Sequence, residues 1–231
     1  MLKSMRIFQL LTVALVASLA SGGVAVKASP MLINFDLTNS SGGGDPYGPG
    51  PGVFGTTSSQ WNLRPRNVSQ TITALFDDTG TATTVNVTYA RSNSGSANLI
   101  SGAYKNLAIS NLQTGPVTIG GLTAGSLYDL IVFSGWGAVP SFTVGGVTKS
   151  ITRTNDWSSL SEGAQYVSFN TVADSLGTIS FTPQPNPTNT TNGASEWSAF
   201  QLREAQPVPG PLPILGVAAA FRSMRKLSKL R

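Results

Sequence analysis

Gly121-Leu122-Thr123-Ala124-Gly125-Ser126-Leu127-Tyr128-Asp129-Leu130-Ile131-Val132-Phe133-Ser134 decides how this chain folds. The glycines mark a turn, because glycine enters positive φ without steric cost. The run that follows places Tyr128, Leu130 and Val132 on one face and Ile131 and Phe133 on the other. A strand that is apolar on both faces must be covered on both, which predicts a central strand.

Working outward, alternation and turns dominate and helical periodicity is scarce. Ile33, Phe35 and Leu37 alternate with Asn34 and Asp36 in a first strand. The Gly- and Pro-rich stretch from Asn39 to Thr57 reads as a long loop. Strands are expected over 70–76 and 81–89 around the turn Asp77-Asp78-Thr79-Gly80, and over 142–144 and 147–151 around Gly145-Gly146. Further strands are expected at 116–119, 165–170, 177–181 and 196–203, nine or ten in all. Leu99, Ile100, Ala103, Tyr104 and Leu107 are spaced for one or two helical turns. Short strands with regular turn signals predict an all-β fold, an antiparallel β-sandwich, over residues 29–206.

Composition removes several chemistries. The 231 residues contain no Cys and no His, which excludes thiolate and imidazole zinc sites, a Ser-His-Asp triad and disulfides. The net charge of +5 suggests nucleic acid until the charges are mapped. Lys3, Arg6 and Lys27 precede residue 29, and Arg222, Arg225, Lys226, Lys229 and Arg231 end the chain. The stretch between holds seven cations against all ten acids, a net charge of −3. Such a body carries no phosphate-binding footprint, so no nucleic acid partner is expected.

The two basic ends read as addresses. Lys3 and Arg6, the apolar run Ile7–Ala20 and the small residues before Ser29 follow the order of a secretory signal peptide, with cleavage expected after Ala28. At the other end Val208, Pro209, Gly210 and Pro211 open an extended segment that leads into apolar residues 214–221 and then the basic terminus. This three-part C-terminus (207–231) resembles the PEP-CTERM sorting signal, in the Val-Pro-Gly-Pro-Leu-Pro form of cyanobacterial members. Gly210 stands where many members carry Glu. The resemblance implies export by the Sec machinery, transient membrane contact through a C-terminal sorting helix, and recognition by an exosortase. It also implies a secreted or cell-surface destination. Gly121–Leu130, Tyr166–Phe169, Gly177–Phe181 and Trp197–Leu202 are similar to galactose-binding-like jelly rolls, which implies a jelly-roll sandwich.

Candidate chemistry is thin. Glu162, Glu196 and Glu204 are the only glutamates, and Asp36 or Asp156 would have to approach Glu196 to make a hydrolytic pair. Asp36, Asp45, Asp77, Asp78 and Asp156 are hard oxygen donors without the spacing of a calcium loop, so no metal or cofactor is expected. Trp61, Trp136, Trp157 and Tyr47 lie in loop-like segments rich in Gly, Ser and Asn. They serve either as a stacking platform for sugars or as a lid over the core. Trp197, by simple alternation, falls on the face opposite Phe200. The reading that follows is a non-catalytic structural or adhesive protein of the envelope or extracellular polysaccharide. A carbohydrate-binding module is the alternative, and a polysaccharide-cleaving enzyme comes third. Mass spectrometry of the exported protein is expected to find Ser29 at its N-terminus; a product that retains residues 1–28 would contradict the signal-peptide reading.

Overall fold

The computed structural model describes residues 31–38, 50–65, 70–90, 102–108, 111–113, 115–135, 140–152, 154–184 and 195–205. The expected signal peptide and sorting segment lie outside these residues, as do Tyr47 and Trp136. The described chain is nearly all β and forms two stacked sheets, a β-sandwich.

The first sheet has five strands. Next to its edge, the interior strand β7 (Leu127–Phe133) pairs antiparallel with the edge strand β10 (Tyr166–Val172) on one side and with β13 (Ala199–Glu204) on the other. Beyond β13 lie β1 (Leu32–Thr38) and then β2 (Asn62–Pro65). The interior placement of β7 agrees with its two apolar faces. The second sheet has six strands in the order β3 (Gln70–Ile72), β4 (Asn86–Tyr89), β6 (Val117–Gly120), β11 (Ile179–Pro183), β8 (Ser141–Val144) and β9 (Val147–Ser150). A small third sheet pairs β5 (Asn111–Gln113) with β12 (Ser195–Trp197). Gly145 and Gly146 take φ of 54° and 82° in the β8–β9 hairpin. Two successive left-handed residues give the turn whose twist matches the strands it joins.

The inward residues of both sheets form the main core. Ile33, Phe35, Leu130, Val132, Phe200 and Leu202 meet Val87, Tyr89, Ile119, Phe142 and Phe181. Trp197 sits among them, 6.1 Å from Phe35, 5.8 Å from Tyr89 and 5.4 Å from Phe181 between ring centroids. Its expected position opposite Phe200 is therefore corrected. Ser198 interrupts the ladder between β12 and β13 and donates its N–H to Phe133 at 2.9 Å, so the count of alternation restarts there. Both rings then point inward.

Other expectations change more modestly. The strand expected over 70–76 stops at Ile72, because Ala74 adopts φ 55° and turns the chain. Phe76 and Ala82 still bridge across the predicted Asp77–Gly80 turn. Leu99 and Ile100 of the expected helical turns lie outside the described residues; among those described, a 3-10 turn spans Lys105–Ala108 and buries Leu107. Thirteen strands are described against nine or ten expected, and β1 pairs with β2 in parallel. Replacing Trp197 with Ala removes the largest ring of the core, so thermal unfolding should report a loss of about 3–5 kcal/mol. A loss near zero would return Trp197 to the surface.

Candidate functional site

The same alternation that fills the core sorts a second set of residues onto the outer face of the five-stranded sheet. Register places them in rows. One row runs Asn170, Asp129, Arg203, and the next runs Ser168, Ile131, Gln201, Asn34. A third runs Tyr166, Phe133, Ala199, Asp36. Because Ile131, Phe133 and Ala199 are apolar, this face also needs a cover.

Loops provide it. Trp61, Leu107 and Trp157 bury themselves against Ile131, Phe133 and Ala199 in a second cluster, flanked by Val53, Phe54, Tyr104 and Leu160. Trp61 is 9% exposed and donates its indole N–H to the Gly50 carbonyl at 3.0 Å. Trp157 has no exposure; the Tyr104 N–H meets its carbonyl at 2.9 Å, and a side chain at Gly102 would collide with its backbone. The platform reading of Trp61 and Trp157 is thereby corrected to the lid reading. Both rings are spent covering β7, and neither presents a face to solvent.

The cover is incomplete. Over the rows near the β10 edge a groove of about 270 Å³ remains open, lined by Val53, Phe54, Asp129, Ile131, Glu162, Tyr166, Ser168, Phe169, Asn170 and Arg203. Gln201 fixes its wall. The buried Gln201 Oε1 accepts the N–H groups of Val53 at 2.7 Å and Phe54 at 3.1 Å, and its amide donates to Phe54 O and Asn34 Oδ1. Gly52 makes that approach possible, since a Cβ there would lie 2.3 Å from Gln201 Oε1.

Inside the groove Arg203 donates to Asp129 Oδ2 through Nη2 at 2.6 Å and Nε at 3.3 Å, and the Asn170 amide donates to Asp129 Oδ1. The Arg203 guanidinium lies 3.8 Å from the Phe54 ring centroid, a cation–π contact that holds both groups in place. At the β10 edge Glu162 Oε1 accepts from the Ser168 N–H at 3.1 Å, from the Ser168 hydroxyl, and from Lys149 Nζ at 3.3 Å. The Ser168 hydroxyl bond, aided by Lys149, holds the Glu162 carboxyl below its ordinary value of 4.5. Burial, with the Glu162 charge beside it, pushes the Tyr166 phenol up, so it stays a neutral hydroxyl.

Of the carboxylates singled out in the sequence, Asp156 lies at the surface, whereas Asp36 and Glu196 lie inside. Asp156 accepts the Ser158 N–H in its own turn. Asp129, Asn170, Arg203 and Phe54 were not singled out at all. The parity of Asp129 with Ile131 was readable, but the register that sets it beside Asn170 and Arg203 is a long-range fact. In a pH titration followed at the Ser168 amide by NMR, the Glu162 contact should persist above 4.5 and be lost as pH falls through a midpoint below that value. A midpoint at or above 4.5 would contradict the geometry.

No protein-family model matches the chain, and no curated protein matches it. Among solved structures it is similar to protein YxiM from Bacillus subtilis, at 12% identity and a TM-score of 0.41 over 76% of this chain and 40% of that one. It is also similar to a chain in the complex of the plant peptide RALF23 with FER and LLG2, at 12% identity and a TM-score of 0.37 over 80% and 44% of the two chains. The chain spans less than half the length of either.

Proposed function

We propose that this chain is an exported protein, sorted at the membrane by an exosortase, that acts without catalysis in a structural or adhesive role. Its place is the cell envelope or the extracellular polysaccharide, and its sandwich is a jelly roll. One observation carries the non-catalytic part: the ionic groups at the outer-face groove are already matched to one another. Asp129 is held by Arg203 and Asn170, and Glu162 by Ser168 and Lys149.

The competing hydrolase would also use that groove. Glu162 and Asp129 both line it, and a glycosidase works with two carboxyl groups roughly 5–10 Å apart. A glycosidase needs one of the two protonated, with a raised pKa. The hydrogen bonds on Glu162 act in the opposite direction. The groove instead supports reversible contact with a hydrogen-bonding polymer, which favours adhesion through polysaccharide.

The sorting half of the reading rests on Val208, Pro209, Gly210 and Pro211 and the segment that follows. Expressed in an exosortase-bearing bacterium, the chain is expected to lose mass at its C-terminus, whereas Pro209→Ala combined with Pro211→Ala should leave an unprocessed, membrane-retained form. Equal processing of both would contradict exosortase recognition.

A further inference from the structure

We infer that the outer-face groove is a binding subsite for a neutral hexopyranose unit of a polysaccharide, an assignment that rests on the adhesive reading above. Three features select this ligand. The first is charge. Among the described residues Arg203 is the cation that lines the groove, and it is engaged by Asp129 through two donors. A uronate or phosphate would have to compete with that carboxylate and with Glu162 nearby, whereas a neutral ligand leaves both ion pairs intact.

The second feature is hydrogen-bonding pattern. A carboxylate offers about four lone-pair positions, so Asp129 retains acceptor capacity after taking Arg203 and Asn170. The exposed Asn170 keeps its own carbonyl oxygen and a second N–H, and Tyr166 keeps a neutral phenol. Adjacent fixed acceptors and donors match the vicinal hydroxyls of a sugar, each of which both gives and takes a hydrogen bond.

Shape is the third. The half-buried rings of Phe54 and Tyr166 line the groove above the buried Ile131, so the C–H face of a pyranose ring has apolar edges to lie against. A volume of about 270 Å³ lies just below the ~300–1,000 Å³ of sites that enclose a whole small ligand, which suits one sugar unit of an open chain.

The test uses the full chain, with immobilised dextran and galactan as neutral probes and polygalacturonate as the acidic one. Asn170→Ala and Arg203→Gln are compared with wild type, with Thr88→Ala on the other sheet as a control and with thermal unfolding of each. Wild type should be retained by a neutral polymer, and Asn170→Ala should weaken retention about tenfold at an unchanged unfolding temperature. Asn170 is exposed at a sheet edge, so this variant stays informative even if Arg203→Gln unfolds. Neutral retention unaffected by either variant would overturn the groove assignment and leave the adhesive reading standing. Retention by polygalacturonate alone would overturn the neutral-ligand assignment, and retention by no polymer would overturn the adhesive reading with it.

Discussion

Gln201 is an amide without access to solvent, and its polar atoms must be satisfied inside the protein. It is satisfied by the backbone of Val53 and Phe54 and by Asn34, and through those contacts it pins a loop to the outer face of a sheet. An unmet amide at this depth would cost about 1–3 kcal/mol. The loop is therefore fixed wherever β13 is fixed. Phe54 then meets Arg203, Arg203 meets Asp129, and the groove acquires its shape. Since the register of β13 against β1 and β7 places Gln201, the groove follows from strand pairing.

The five-stranded sheet is thus packed on both faces, for unequal purposes. Its inner face joins the main core around Trp197, Phe35 and Phe200, which holds the two sheets together. Its outer face carries a smaller core closed by Trp61 and Trp157. That smaller core stops short of the β10 edge, where polar residues replace apolar ones along the same rows. Glu162 also accepts the N–H of Ser168, which removes one edge donor from pairing with another chain. Site and edge protection share a residue.

Much of this architecture was legible in the sequence. The two-faced apolar pattern at 127–133 puts β7 inside a sheet rather than at its edge, and the glycine pairs mark the turns. What remained hidden was non-local. Alternation from Phe200 back to Trp197 fails because Ser198 interrupts the ladder, and no residue-by-residue rule records such a break. In sequence Trp61 and Trp157 suit either a platform or a lid, and the need of Ile131 and Phe133 for cover decides between them. Asp129, Asn170 and Arg203 are far apart in the chain and meet only through register, so the groove was not readable before the pairing was known. Val208–Pro211 and the ends of the chain lie outside the described residues, and the sorting reading rests on sequence.

The central claim is that the partly covered outer face of the five-stranded sheet is the working surface. The most direct test is a chemical-shift map of the labelled full chain titrated with a neutral dextran oligosaccharide. The account predicts perturbations at the Asn170 side-chain amide and at the backbone amides of Phe54, Asp129 and Ser168, with the six-stranded sheet silent. Perturbations confined to the six-stranded sheet, or none in that groove while the polymer binds, would contradict it.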